Sequence, residues 1–164
     1  MPNLTSITSP PPLQIVLVQP EIPPNTGNIA RTCAVTGCRL HLIEPLGFRL
    51  TDRDLKRAGL DYWHELDIQV WPNLEAYLDA TGGVHRWWLT TKAPRRIDQV
   101  TFAIGDHLCF GSETSGLGPD LLARYPESLL RIPMRPSLRS LNLSSAVAAV
   151  VYAALGQMGY PGMG

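Results

Sequence analysis

Short runs of Val, Ile, Leu and aromatic residues recur along the chain, each followed by a longer stretch of loop or helical character. Leu13 to Val18, Arg39 to Ile43, Asp67 to Trp71, Arg86 to Thr90, His107 to Gly111 and Leu129 to Ile132 are too short for helices and are bounded by turn residues. They read as strands. Between them lie helix signals. Asn25 is a natural N-cap for a helix that runs to about Thr36 and stops at Gly37. Thr51-Asp-Arg-Asp54 resembles a capping box with Asp in place of Glu, opening a short helix through about Ala58. Asn73-Leu-Glu opens a helix ending at Thr81, and Pro119 suits the first turn of one over 119–124. The last helix spans about 143–158. Strands alternating with helices predict an α/β fold, a mostly parallel sheet flanked by helices.

The last helix changes that picture. No Asp, Glu, Lys or Arg occurs after Arg139, and a helix apolar on every side must be covered on every side. One copy of so small a chain has too little surface to cover it, so a second copy is expected. Residues 1–12, Pro- and Ser/Thr-rich, read as a disordered tail, and 13–162 as a single domain. Net charge is zero, which advertises no nucleic acid globally. The cations are unevenly placed, however. Arg86, Lys92, Arg95 and Arg96 share one stretch without acids, and Arg131, Arg135 and Arg139 another. Twelve of the fourteen cations are Arg, whose planar fork suits phosphate, although a compositional preference for Arg explains this as readily.

Cys33, Cys38 and Cys109 fit no zinc spacing and read as small buried hydrophobes in a reducing compartment. The four histidines form no metal pair, so no metal is expected. No signal peptide is expected, since the first residues hold no basic residue and no apolar run, and the longest apolar stretch, about 146–155, is too short to span a bilayer. A cytoplasmic protein without a membrane partner is expected.

Three loops at strand exits carry candidate chemistry: Thr90-Thr-Lys92, Gly111-Ser-Glu-Thr-Ser-Gly-Leu-Gly118 and Ile132-Pro-Met-Arg-Pro-Ser-Leu-Arg-Ser140. Open α/β sheets bind ligands there, and Gly-rich exits let backbone groups approach a flat ligand such as a nucleoside. Any one of these loops alone is equally well explained as ordinary turn chemistry. The first strand–helix turn lacks G-x-G-x-x-G, and no G-x-x-x-x-G-K-[ST] occurs, so dinucleotide and P-loop sites are excluded. Asn28 and Arg31 lie one helical turn apart near a helix N-terminus, which suits an anion; the alternative is an Arg paired with a surface acid. Glu113 reads either as a loop acid or as a hydrogen-bonding partner of a bound nucleoside.

Pro20-Glu-Ile-Pro-Pro-Asn-Thr-Gly-Asn28, Arg57-Ala-Gly-Leu-Asp-Tyr62, Leu89-Thr-Thr-Lys92, Phe110-Gly-Ser-Glu-Thr-Ser-Gly-Leu117, Arg131-Ile-Pro-Met134 and Ser140-Leu-Asn-Leu-Ser144 closely resemble the SPOUT methyltransferases. The match is to their smallest branch, the TrmL or YibK-type tRNA (cytidine/uridine-34)-2′-O-methyltransferases, over about residues 13–162. The resemblance implies a C-terminal deep trefoil knot, S-adenosylmethionine as cofactor, and a homodimer with the active site across its interface. The implied substrate is the anticodon stem-loop of a tRNA, typically a leucine isoacceptor, methylated at the wobble ribose. It implies cofactor contacts at Leu89, Gly111, Glu113, Ile132, Ser140, Leu141 and Asn142, and catalytic roles for Asn28 and Arg31. Ser144 and Tyr152, which match the branch, and Arg135 and Arg139, in a loop more basic than the branch usually carries, are weaker RNA-binding or interface candidates. A ribosomal RNA 2′-O-methyltransferase and a non-catalytic knotted RNA-binding dimer are the alternatives on the same fold.

Overall fold

The computed structural model describes residues 10–57, 66–138 and 140–164. A six-stranded sheet is built from β1 (Leu13–Val18), β2 (Arg39–Ile43), β3 (Ile68–Trp71), β4 (Arg86–Leu89), β5 (Asp106–Phe110) and β6 (Leu129–Leu130), in the order β3-β2-β1-β5-β4-β6. Every neighbouring pair is parallel. The helices are α1 (Pro23–Thr36), α2 (Asp52–Arg57), α3 (Leu74–Ala80), α4 (Pro119–Arg124) and α5 (Leu143–Gln157). The α/β expectation is met, with helices on both faces. Short 3-10 turns at Ile97–Gln99 and Pro126–Ser128 escape the sequence pattern.

Period-two alternation sends alternate strand residues to opposite faces, and both faces are covered. Leu13, Ile15, Leu17, Leu40, Leu42, Trp87, Leu89, Leu108 and Phe110 pack under α1 and α5, with Ile29, Ala30, Cys33, Val147, Val150 and Val151. Val16, Val18, Ile43, Trp88 and Cys109 pack on the other face with Tyr77 of α3 and Leu121 of α4. The three cysteines are free and buried. Cys33 and Cys38 close α1. The Cys38 N–H donates to the Cys33 carbonyl at 3.0 Å, and Gly37 takes the left-handed conformation (φ 78°) that this ending requires.

The start of α1 differs from the sequence reading. Asn25 is not the N-cap; Ile22 holds that place and Pro23 and Pro24 form the first turn. A double proline looks like loop in a sequence, yet its fixed φ suits a helix entry and it lacks only N–H groups that the first turn leaves unpaired anyway. Asn73 does cap α3, accepting from the Ala76 N–H at 2.8 Å. The α2 helix forms at Asp52–Arg57; Ala58 and the Ala58–Tyr62 part of the second motif lie outside the described residues. So do residues 1–9 of the proline-rich leader, while Pro12 accepts from the Gly105 N–H at 2.8 Å.

The α3 face carries a buried polar cluster. His41 and His107 stack over β1 with ring centroids 5.4 Å apart. Trp71 Nε1–H donates to His41 Nδ1 at 3.0 Å, so the neutral ring carries its proton on Nε2, which faces Gln14 Oε1 at 2.6 Å. Arg86 Nε donates to the Tyr77 hydroxyl at 3.2 Å, and that hydroxyl lies 2.6 Å from His107 Nδ1. Burial is the main cause holding His41 down at about 4 and His107 at about 3; the Arg39 charge adds to the first and the His41 ring to the second.

Both rings are therefore neutral in the fold but protonate near pH 6.5 in the unfolded chain. Their contribution is whole above about pH 7 and is lost as the pH falls from 6.5 toward 4, because unfolding then takes up protons. Chemical denaturation at pH 7.5 and pH 5 should show a loss of about 3 to 4 kcal/mol, at roughly 1.4 kcal/mol per pH unit per ring. A stability unchanged over that window would mean that the cluster tolerates the charge.

Candidate functional site: a cavity at the strand exits

Three chain segments leave the carboxyl ends of β4, β5 and β6 side by side and enclose a cavity of about 610 Å³. The sheet's own hydrogen bonding aims them. The Thr90 N–H donates to the Leu130 carbonyl at 2.8 Å, prolonging the β4–β6 ladder into the first loop. Arg131 pairs with the 95–97 segment: its N–H donates to the Arg95 carbonyl and its carbonyl accepts from the Ile97 N–H, both at 2.9 Å. The 131–142 segment therefore leaves from a fixed point. The β5 loop is closed by the Gly116 N–H donating to the Ser112 carbonyl at 3.0 Å and the Ser115 N–H to Ser112 Oγ at 3.2 Å.

The cavity has apolar walls from Leu89, Leu117, Ile132, Leu141 and Ala146, and polar groups from Thr90, Lys92, Ser112 and Ser140. That mixture fits a nucleoside with a charged tail. Flat apolar walls take the base, backbone groups of the loops take its edge and the ribose hydroxyls, and the α5 N-terminus and Lys92 suit a carboxylate. Gly111 has no room for a side chain. A Cβ there would lie 2.1 Å from the Gly116 carbonyl carbon and 2.3 Å from the Leu117 nitrogen, so the loop lies directly on this glycine.

All seven residues expected to contact the cofactor, Leu89, Gly111, Glu113, Ile132, Ser140, Leu141 and Asn142, line this one cavity. Glu113 has structural work as well. Its carboxylate accepts from the Glu21 N–H (2.9 Å), the Ile22 N–H (2.6 Å) and Asn25 Nδ2 (3.3 Å), closing the entry of α1 from across the sheet. Asn25 Oδ1 in turn accepts from Asn142 Nδ2 at 3.0 Å, and Asn142 Oδ1 caps α5 by accepting from the Ser144 N–H at 3.0 Å and the Ser144 hydroxyl at 2.6 Å. The chain Glu113–Asn25–Asn142–Ser144 joins the β5 loop, the α1 entry and the α5 entry. Asn25, which the sequence presents only as a cap, is buried and lines the cavity. The one sequence signal for it is a polar residue just inside a helix that opens on two prolines.

Asn28 and Arg31 are exposed on α1 and stand outside the cavity lining. Arg135 is exposed in the loop past the cavity, Tyr152 is 41% exposed on α5, and Arg139 lies outside the described residues. Among the described residues, no cluster of His, Cys, Asp and Glu could hold a metal ion, and no helix is long and apolar enough to cross a membrane.

An open parallel sheet whose late strand exits, joined by Ile22 and Asn25 at the entry of α1, enclose a cavity of nucleoside size describes a ligand-binding α/β protein. Within that class the chain belongs to the SpoU rRNA methylase family, whose profile matches residues 12–152. The tRNA (cytidine(34)-2′-O)-methyltransferase of Aeromonas hydrophila is 53% identical over 151 residues, 92% of this chain and 97% of that protein. The protein of the same name from Escherichia coli K12 is 50% identical over 151 residues, 92% and 96% of the two chains. A solved structure concerned with 2-OH methylation of C/U34 on tRNA superposes with a TM-score of 0.84 at 44% identity, covering 90% of this chain and 96% of that one.

Proposed function

We propose that the chain is an S-adenosylmethionine-dependent methyltransferase acting on the ribose 2′-oxygen of wobble nucleotide 34 in tRNA, leucine isoacceptors first among its substrates. The observation that carries this reading is the convergence of Leu89, Gly111, Ile132, Ser140, Leu141 and Asn142 on one cavity of nucleoside size, in a chain about half identical to enzymes named for that reaction. The cofactor supplies the electrophilic methyl group. Leu89, Ile132 and Leu141 hold its base, the loop at Gly111 its ribose, and Ser140 and Lys92 its amino-acid end.

Asn28 and Arg31 bind the RNA. A guanidinium stays protonated at neutral pH, so Arg31 orients the ribose and neutralises a phosphate rather than removing the 2′-proton. That proton leaves late in the displacement, to a phosphate oxygen or to water. Arg31 stands off the cavity of its own chain, and a homodimer that completes the site brings it to the partner's methyl donor. The exposed strip Ala149, Tyr152, Ala153 and Gly156 on α5 supports such a pairing, being small or aromatic and free of charge. The C-terminal part of the domain over 13–162 threads a deep trefoil knot, and the enzyme works in the cytoplasm without a metal.

The test is ribose-methylation mapping of total RNA from a deletion strain. Loss of the mark at tRNA position 34, restored by the wild-type gene, is the expected result. An intact mark there with a lost ribosomal mark would overturn the assignment.

A further inference from the structure

A second cavity, of about 440 Å³, adjoins the first on the other side of the β5 loop. It lies where β1, β2 and β5 end, and it shares Ser112 and Ser115–Gly118 with the cofactor cavity. Its remaining lining is Gln19, Glu21 and Pro45–Gly47. The Gly47 N–H donates to the Pro20 carbonyl at 2.9 Å, and a Cβ on Gly47 would fall 2.5 Å from the Glu21 carbonyl oxygen, so this wall is fixed backbone against backbone. The Glu21 carboxylate accepts from Thr114 Oγ1 at 2.6 Å, and hydrogen bonds from Thr114 and Ser112 keep it below the usual carboxylate range.

Two features single out Gln19. Its φ is +55°, a left-handed conformation that costs a non-glycine residue about 1 kcal/mol or more. The backbone is held there because its N–H donates to the Ile43 carbonyl at 2.9 Å, one step beyond the β1–β2 pairing. Its side-chain amide, at the cavity, forms no hydrogen bond with any described residue. Gln19 is exposed, so its amide is open to a ligand that enters this cavity beside the proposed cofactor site.

The lining says which kind of ligand. Among the described residues it holds one carboxylate, one carboxamide and two serine hydroxyls, and no Lys, Arg or His, which disfavours phosphate. Pro45, Leu46 and Leu117 offer apolar surface to a flat ring. We infer that this cavity receives the pyrimidine base of the target nucleotide and that the Gln19 carboxamide pairs with cytosine or uracil alike. Cytosine presents the N4 amino donor beside the N3 acceptor; uracil presents the O4 acceptor beside the N3 donor. A carboxamide carries one donor and one acceptor side by side, and a half-turn of its terminal bond matches it to either edge. This deepens the functional reading above and rests on it.

The test is methylation of C34 and U34 tRNAs, isolated from a strain lacking the enzyme, by wild type, Gln19→Glu and Gln19→Gly, with S-adenosylmethionine affinity measured in parallel. Gln19→Glu keeps an acceptor for the cytosine amino group or the uracil N3–H but sets its second oxygen against cytosine N3 or uracil O4, so it penalises both bases alike. It should lower kcat/KM on C34 and on U34 tRNA by about 10-fold or more, and wild type but not Gln19→Gly should lose a similar factor on tRNA carrying 3-methyluridine at position 34, whose pairing edge is blocked. Gln19→Gly suits the positive φ, so it should fold at least as stably and slow both substrates by about 10-fold. Cofactor affinity should not move in either variant. Equal discrimination against 3-methyluridine-34 by wild type and Gln19→Gly overturns the inference, whether or not both rates fall, since a residue that only shapes the loop does not read the pairing edge. Wild-type enzyme that leaves nucleotide 34 unmethylated overturns the functional reading, and this inference with it.

Discussion

Gly111→Ala should nearly abolish binding of S-adenosylmethionine. The added methyl group would sit 2.1 to 2.4 Å from three backbone atoms of Gly116 and Leu117, far inside van der Waals contact. None of those atoms belongs to a flexible side chain, so the whole β5 loop has to shift. That loop forms one wall of both cavities. Overpacking of this kind costs about 1 to 3 kcal/mol in stability. The displaced loop costs more in binding, because backbone groups aimed at a ligand lose their aim together, and we expect a fall in affinity of about 100-fold. Isothermal calorimetry with the cofactor, alongside thermal denaturation, measures both. A variant that binds as well as wild type would show that residues 116–117 can move aside without cost.

Glu113→Gln should separate cofactor binding from turnover. The carboxylate accepts two backbone N–H groups and one amide N–H at the entry of α1. A glutamine keeps one oxygen and turns an NH₂ group toward donors. Each donor left without an acceptor costs about 1 to 3 kcal/mol, so a loss of about 2 kcal/mol in stability is expected. The larger effect falls on kcat. The α1 helix carries Asn28 and Arg31, and its entry is fixed to the β5 loop through this carboxylate and to α5 through Asn25 and Asn142. A shift of order 1 Å in a positioning element costs about 100-fold in rate. Affinity for the cofactor should stay near the wild-type value. If affinity instead falls in step with kcat while stability holds, Glu113 acts on the cofactor directly and its bonds to α1 are incidental.

The two roles of Glu113 show where sequence reading reaches and where it stops. The strands are plain, because each is short, bounded by turn residues and alternates inside a sheet covered on both faces. The three exit loops are plain for the same reason: placing the strands also places the segments that leave them. Partners distant in the chain are not. Glu113 meets Asn25 across 88 positions and Asn25 meets Asn142 across 117, and no local pattern records such a meeting. Local pattern consequently makes Asn25 the cap of its own helix, when that helix is closed by a carboxylate from another loop. His41 and His107 match no metal spacing, and spacing says nothing else about them. They become neighbours because β1 lies between β2 and β5, so their side chains lean together over it. Gln19 stands in plain view next to a recognisable motif, but its backbone conformation, which gives it interest, has no signature in side-chain chemistry.

The charge-free stretch after Arg139 has a consequence for how the molecule answers to ionic strength. From Ser140 to Gly164 there is no side-chain charge to screen, so the α5 packing rests on apolar contact and on neutral hydrogen bonds such as those of Asn142 with Asn25 and of Gln157 with Val100 and Phe102. Salt leaves such contacts intact or strengthens them. The cationic residues open to an RNA backbone in the functional reading above, Arg95 and Arg96 among them, all lie upstream. Phosphate contacts made by such residues would weaken steeply with salt. Raising the salt should therefore strip RNA from the protein while the helical scaffold and its cofactor cavity stay assembled, so that substrate release and loss of structure answer to different solution conditions.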